Sequence, residues 1–476
     1  MRASEVNRFT ISEVAKLIRS RAVSPVDVTQ ATLHRIERGD AALNAYITVT
    51  KDAAMRAAEA AEEAIASGRY RGPLHGVPLA LKDLFATKGI RTTAGSKILA
   101  QHVPTYDATV VERLTRAGAI LVGKLNLYEF ACGGIVNPTY GATRNPWDLE
   151  RTAGGSSGGA GAAVAASLCF GALGTDTGGS IRIPSSLCGI VGVKPTYGRV
   201  SRFGVTPLSW SLDHVGPMTR SVEDAAILLQ AIAGTDPHDP TTARLPVPNY
   251  REALTGAVEG LTVGVPREFF LDRVEEEVAE AFHTAVTRLE GLGAAVEAVT
   301  VPQIRYTDTL YDVIQLCEAA AYHERYLTSH AQEYDPQVLA RVQEGRFIPA
   351  VHYLTAQRLR RVYSKALEKP FERVDVIATP TTPIPAFKIG EETLRIGTTT
   401  ENARRALRRL TRPFNIAGLP AVTVPCGFTA TGLPIGLQIV AKPFDEATAL
   451  RVAHAYETNT PWHQQRPPMD FFAVSS

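Results

Sequence analysis

Cysteine is scarce in this sequence, with five in 476 residues. Cys132, Cys169, Cys188, Cys317 and Cys426 are odd in number and widely spaced, and no pair has CxxC spacing. That argues against a secreted disulfide framework and for buried thiols in a reducing compartment. An excess of charge is missing too. Lysine plus arginine number 50 against 48 for aspartate plus glutamate, leaving a net charge of +2. Such a balance supplies no global attraction to nucleic acid or to an anionic membrane. Long hydrophobic runs are also absent. The longest, residues 158–174, is mostly glycine and alanine and falls short of the ~20 apolar residues of a membrane span. Charges interrupt the first twenty residues, so no secretory leader is expected. The expectation is a cytoplasmic protein with no membrane and no nucleic acid among its partners.

What is present is an ordinary globular composition, 45% hydrophobic and 21% charged, which excludes gross disorder. Residues 1–70 read as a helical cover, with Ser12 a capping candidate and Ser24-Pro25 opening a helix. From residue 72 short apolar strands alternate with helices. Strands are expected at 77–81, 119–122 and 172–175, with helices at 108–117 and 160–168. The alternation resumes at 261–265, 274–292 and 295–301. Residues 311–368 read as mostly helical, and a hairpin is expected around residues 429–432. This pattern predicts an α/β fold: a large mixed, mostly parallel twisted sheet covered by helices on both faces. One domain over 1–476 is expected. It comprises the cover at 1–70, a motif-bearing core at 72–225, a surface connection at 235–260, and further α/β layers with substrate-pocket helices at 261–476. Residues 390–401 read as an exposed segment. Two basic clusters, Arg358 with Arg360-Arg361 and Arg404-Arg405 with Arg408-Arg409, read as solvated helical faces. An anion-binding patch is the sharper alternative.

Two glycine clusters stand out, Gly154-Gly155-Ser156-Ser157-Gly158-Gly159 and Gly174-Thr175-Asp176-Thr177-Gly178-Gly179-Ser180. Neither has the G-K-[ST] ending of a phosphate loop, nor GxGxxG between a strand and a helix. The first matches GxSxG, but a turn-rich segment precedes it where a nucleophile elbow needs a strand. Taken together the clusters are more telling. A helix of about 11 residues advances ~17 Å, and a returning strand of five covers about the same. The segment between Ser156 and Ser180 holds about one of each, so the two serines can end up adjacent. The second cluster, just before a helix start, aims several backbone N–H groups at one spot, as an oxyanion hole requires. No histidine lies near either cluster. Lys82, ending the apolar run Val77-Pro78-Leu79-Ala80-Leu81, is the candidate base, because burial disfavours its charged form. The alternative for Lys82 is a strand-end lysine reaching solvent.

These two clusters, together with Ile181-Arg182, Val193-Lys194-Pro195-Thr196 and Gly76-Val77-Pro78-Leu79-Ala80-Leu81-Lys82-Asp83, resemble the amidase signature family. The resemblance is dense over residues 72–225 and looser to Trp462-His463. It implies a Ser-Ser-Lys triad with Ser180 as nucleophile, Ser156 as bridge behind a cis peptide bond, and Lys82 as base. It further implies an oxyanion hole from the N–H groups of Thr177, Gly178, Gly179 and Ser180, with Asp176 and Arg182 as structural partners. An ordinary ion pair is an equal reading of those last two. The implied reaction is hydrolysis of a carboxamide through a serine acyl-enzyme, extending to esters and carbamates, without cofactor or metal. The Phe130-Ala131-Cys132-Gly133-Gly134 loop would line the acyl pocket, with core packing its alternative.

Segments such as Tyr106-Asp107-Ala108-Thr109 and Ile416-Ala417-Gly418-Leu419-Pro420 also look like the glutamine-hydrolysing member of a tRNA-dependent amidotransferase, its A subunit. Two departures favour a stand-alone amidohydrolase. Arg408 stands near the position of an acidic residue that holds the glutamine amine in those transferases. Their arginine-tyrosine-glycine segment is not found after Glu318-Ala319-Ala320. The expectation is therefore an enzyme acting by itself, or as a homodimer, on a small-molecule amide.

Overall fold

A computed structural model describes residues 3–133 and 136–468. The N-terminal cover is helical as expected. It holds α1 (Ile11–Arg19), α2 (Pro25–Leu43) and α3 (Lys51–Ala66), with strand β1 (Tyr46–Val49) before α3. Ser24 caps α2 by accepting from the N–H of Val26 and Asp27, with Pro25 in the first turn. For α1 the cap is Thr10, not Ser12. Thr10 and Glu13 form a reciprocal capping box, and Ser12 lies in the first turn.

The motif-bearing part follows the alternation. It runs β2 (Pro78–Lys82), α4 (Thr109–Arg116), β3 (Ile120–Leu125), a small hairpin of β4 (Arg144–Asn145) and β5 (Asp148–Thr152), α5 (Gly158–Ala165), β6 (Gly171–Asp176), α6 (Arg182–Cys188), β7 (Val191–Lys194), β8 (His214–Thr219) and α7 (Val222–Ile232). The remainder adds β9 (Thr262–Pro266), α8 (Glu276–Gly291), β10 (Ala295–Val299), α9 (Thr307–Leu327), α10 (Pro336–Arg346), α11 (Ala350–Glu368) and β11 (Val376–Pro380). It closes with hairpin β12 (Thr393–Ile396) and β13 (Thr399–Asn402), then α12 (Ala403–Arg408), α13 (Arg412–Ile416), β14 (Ala421–Phe428), β15 (Pro434–Ala441) and α14 (Glu446–Thr458). The β12–β13 hairpin occupies the stretch expected to be exposed and irregular.

Among the described residues one 11-stranded sheet runs in the order β1-β3-β2-β6-β8-β7-β14-β15-β11-β9-β10. β2 pairs parallel with β3 and β6, and β9 pairs parallel with β10 and β11. Between these flanks, from β6 through β8, β7, β14 and β15 to β11, every pairing is antiparallel. The α/β class stands, but the centre of the sheet is antiparallel where a mostly parallel one was expected. For β14 and β15 the reason is chain return: the turn at 429–432 joins them directly, with no crossover helix.

Helices cover both faces. Leu79 and Leu81 of β2 join a core with Val14, Ile227 and Leu450. Ala80 between them joins a second core with Leu33, Ala58 and Val164. That is the alternation of a strand buried on both sides. No described helix is long and apolar enough to cross a membrane.

Candidate active site

Lys82 ends β2, and packing from both faces leaves its side chain with no exposure. Its Nζ donates to Ser156 Oγ at 2.7 Å and to Thr175 Oγ1 at 2.7 Å. Both acceptors are neutral hydroxyls, so the ammonium has no carboxylate in contact. Burial therefore dominates and lowers Lys82 to about 7, against the opposing fields of Asp213 and Asp176. The strand-end lysine reaching solvent is not what the fold builds.

Ser156 follows a cis peptide bond from Gly155 and is itself buried. It stands just before α5, whose glycines and alanines let the helix lie close on the sheet. A Cβ on Gly159 would come within 2.6 Å of the backbone of Asn126 and 2.5 Å of the carbonyl of Ala45. After α5 the chain returns along β6, and the N–H of Ser157 donates to the carbonyl of Ser180 at 3.3 Å. The two serine-bearing segments are thus brought side by side. Over residues 153–188, Ser180 alone is not fully buried.

The loop holding Ser180 is pinned from below. Arg182 grips the Asp176 carboxylate with Nε and Nη2, each at 3.0 Å. Its remaining donors go to Thr411 O at 3.0 Å, Gln438 Oε1 at 2.6 Å and Asn415 Oδ1 at 2.6 Å. Burial alone would raise Asp176, but the Arg182 guanidinium overcomes it and holds the carboxyl well below the usual range. Asp176 and Arg182 form a fully buried pair beneath the loop. Of the four N–H groups expected to converge, that of Gly179 is already used, donating to Asp176 Oδ1 at 2.7 Å. Gly179 reaches this with φ at 125°, a region that favours glycine. The N–H groups of Thr177, Gly178 and Ser180 make no hydrogen bond among the described residues.

Several residues here carried no signal in the sequence. Thr175 looks like one more strand residue, yet it is the second hydroxyl on Lys82. Asp213 accepts from Thr177 Oγ1 at 2.6 Å, and burial raises it to about 6. Tyr311 and Tyr128 pack on the two glycine clusters. A Cβ on Gly178 would meet Tyr311 Oη at 2.6 Å, and one on Gly155 would meet the Tyr128 ring at 2.3 Å.

The described part of the Phe130–Gly134 loop, residues 130–133, is placed otherwise than expected. Phe130 packs among His323, Tyr326 and Tyr334, and Cys132 is buried. The Cys132 carbonyl accepts from Arg404, and Gly133 lies against Val338. Cys132 and Gly133 thus stand behind arginines instead of lining an opening, and Gly134 lies outside the described residues. The two basic clusters are solvated faces only in part: Arg358, Arg361 and Arg405 are exposed, whereas other members turn inward. Arg409 is buried and donates to the carbonyls of Phe269, Asp272 and Arg273. Arg360 donates to Ile416 O at 2.7 Å and to Ser211. Among the described residues no group of three His, Cys, Asp or Glu side chains is arranged to hold a metal ion.

Comparison with known proteins matches the Amidase family over residues 27–450. The chain belongs to the amidase signature family. It is 45% identical to the A subunit of glutamyl-tRNA(Gln) amidotransferase from Moorella thermoacetica, over 98% of this chain and 99% of that protein. Among solved structures, an s-triazine catabolic enzyme described with a vestigial protein complex superposes with a TM-score of 0.91 at 38% identity. That match covers 94% of this chain and 98% of the other. The glutamyl-tRNA(Gln) amidotransferase A subunit of Thermotoga maritima gives a TM-score of 0.81 at 38% identity, covering 96% of each chain. These relatives correct one expectation. A chain acting by itself or as a homodimer on a small-molecule amide, with nucleic acid absent, does not fit near-full-length relatives that are by name subunits of a glutamyl-tRNA(Gln) amidotransferase.

Proposed function

We propose that this amidase-signature chain cleaves a carboxamide through an acyl-enzyme on Ser180, as the amide-hydrolysing component of an amidotransferase-type assembly. The observation that carries the chemistry is Lys82, wholly buried, about 7 in its titration, with Ser156 Oγ at 2.7 Å. A neutral amine there accepts a proton. Ser180 attacks the carbonyl while its proton passes through Ser156 to Lys82. The free N–H groups of Thr177, Gly178 and Ser180 face the developing oxyanion. Ser156 then hands a proton to the leaving amine, and water releases the acyl group by the same relay in reverse.

The assembly rests on the 45% identity to amidotransferase relatives along nearly the whole chain. In those relatives' terms the amide is glutamine and the leaving amine is ammonia for a partner. The surface agrees. Phe347 is 84% exposed, and Val351, Leu354, Leu359 and Val362 are exposed along one side of α11. Exposed apolar side chains grouped in this way, with the exposed Thr355 and Arg358 among them, suit a protein–protein contact.

The experiment measures ammonia release from glutamine by the chain alone and with partner proteins from such an assembly, beside fluorophosphonate labelling. Labelling confined to Ser180, lost in Ser180→Ala, together with release that rises on adding the partners, supports the proposal. Labelling elsewhere, or full turnover by the chain alone with no response to partners, refutes it.

A second reading, an amide donor other than glutamine, is favoured by one observation. Arg408 stands by the site with no carboxylate partner.

A further inference from the structure

The register of β6 against β8 pairs Thr175 with Val215 and Asp176 with His214. Carried one position past the ladder, it sets Thr177 opposite Asp213. There Asp213 Oδ1 accepts from Thr177 Oγ1 at 2.6 Å. Its other oxygen, Oδ2, accepts from the N–H groups of Leu208 and Ser209 at 2.9 and 3.0 Å. Asp213 is buried, and among the described residues it has no ion-pair partner. Holding the turn at 208–213 accounts for Oδ2 alone, and an asparagine holds a turn as well. A buried carboxylate without a cation in contact is the costlier choice. Burial raises it to about 6, with the Thr177 hydroxyl, Arg202 and the turn's N–H groups opposing, so it is charged at neutral pH.

Two neighbours give that charge a use. The first is the Ser180 loop. Thr177 supplies one of the three main-chain N–H groups left free for an oxyanion, and among the described residues its side chain has one anchor, Asp213. Thr411 Oγ1 holds the next residue by the Gly178 carbonyl at 2.7 Å, and Asp176 holds the Gly179 N–H. Residues 177, 178 and 179 are thus fixed one by one, from before β8, from between α12 and α13, and from the end of β6. The second neighbour is Lys82. Thr175, whose hydroxyl accepts from the Lys82 amine, lines one cavity of about 220 Å³ together with Asp213. Asp213 is the foremost negative charge acting on that amine, ahead of Asp176. The charge of Asp176 is matched by Arg182 in contact, and Asp213 has no such match.

The turn that presents Asp213 is itself fastened. Its own backbone closes with the N–H of Asp213 donating to the Ser209 carbonyl at 2.8 Å. Glu318 of α9 accepts from Ser209 Oγ at 2.5 Å and from the Ser211 N–H at 3.0 Å. Arg360 of α11 donates to the Ser211 carbonyl at 2.8 Å. A carboxylate held this firmly from behind can hold Thr177 firmly in front.

We infer that Asp213 is a positioning residue for acylation of Ser180: through the Thr177 hydroxyl it fixes the oxyanion loop, and its charge acts on Lys82 from beyond Thr175. The inference rests on the acyl-enzyme reading of Ser180 and adds a residue to that reaction. Asp213 makes no hydrogen bond to Lys82, Ser156 or Ser180, so its whole effect passes through Thr177 and through its field. The other titratable groups around it are His214 of β8, which burial keeps neutral, Asp176 of β6, and Arg202, His238 and Asp239 on the loops that line the cavity.

The test follows the rate of fluorophosphonate labelling at Ser180 against pH in the full chain with its partners, beside thermal unfolding of each variant. At about pH 9, where Lys82 is neutral, Asp213→Ala and Thr177→Val should each label at least about tenfold more slowly, because an oxyanion donor is left loose. Thr177→Ser, which keeps the hydroxyl, should recover most of the loss seen in Thr177→Val. Asp213→Ala combined with Thr177→Val should be no slower than Asp213→Ala, since the carboxylate acts through that hydroxyl. Losses that multiply in the combined variant, or a Thr177→Val protein as fast as wild type, overturn the inference. Asp213→Asn exchanges the charge for an amide that still meets Thr177 and the two N–H groups. Its pH midpoint should lie about one pH unit to the acid side of wild type, because the charge favouring the Lys82 ammonium is gone. The remaining titratable groups are common to both proteins, so a midpoint unmoved or moved to the alkaline side refutes the role of the charge. Should Asp213→Ala fail to fold, Thr177→Val against Thr177→Ser and the Asp213→Asn midpoint decide in its place. If Ser180 is never labelled in the wild-type protein, the acyl-enzyme reading falls and takes this inference with it. Normal wild-type labelling with unaffected variants sinks the inference alone.

Discussion

In the proposed mechanism Lys82 serves as the base because its side chain is denied both solvent and a carboxylate contact. Its two contacts are hydroxyls, and burial brings it to about 7. The sign of the pH effect follows. Below about 7 the amine is protonated and cannot accept from Ser156, so the acylation rate should climb with pH and level off above about 8. Rapid-mixing acylation measured from about pH 5.5 to about 9 tests this, and Lys82→Met should abolish the climb with the activity. A rate independent of pH through that range would remove Lys82 from the role. Asp176 illustrates the opposite residue-scale balance. Its charge is kept by Arg182, buried with it. Asp176→Asn leaves that guanidinium uncompensated and should cost about 3–5 kcal/mol in urea unfolding. Asp176→Asn with Arg182→Met should cost less than the sum of the two single changes, since the stranded charge is gone.

At the scale of elements, α5 shows how small residues place chemistry. A Cβ on Gly159 would press on the backbone of Ala45 and Asn126, whereas the nearest atom to a Cβ on Gly158 is 3.6 Å away. Gly159→Ala should lower stability by about 1–3 kcal/mol and disturb the approach of Ser156. Gly158→Ala should be neutral, or gain up to about 1 kcal/mol from helix propensity. Thermal unfolding of the pair separates close approach from flexibility as the reason for the glycines. The elements legible in the sequence were those whose apolar period is clean, such as β2, α4, β9, α8 and the β14–β15 hairpin. Others were hidden for local reasons. β8 carries Gly216 and Pro217 in mid-sheet, where proline normally argues against a strand. α6 has Pro184 in its first turn and only seven residues, too short for a periodic signal.

At the scale of the molecule, the exposed apolar side of α11 is the feature a lone enzyme has least use for. Exchanging Phe347, Val351 and Leu354 together for glutamine should leave unfolding stability within about 1 kcal/mol, because these side chains are already in water. The same exchange should weaken association with partner proteins in analytical ultracentrifugation. Undiminished association would place the contact elsewhere. The arginines of α12 make a related point about reach. Their clustering is plain in the sequence, but which of them turn inward depends on α9, α10 and the Phe130 loop, all distant along the chain.

The sequence by itself determined the local ingredients: glycines that let two loops curl, a serine in each, and a lysine closing an apolar strand. Local spacing even set the two serines near each other, because one helix and one return strand cancel in length. Only the tertiary structure decided that Lys82 meets Ser156, 74 positions away, where its side chain has no exposure. It likewise decided that Arg182 is held by Asn415, 233 positions away, and that Arg408 faces a cavity instead of solvent. Charge state and accessibility are products of what surrounds a group, and those surroundings are assembled from segments that have no contact until the sheet is complete.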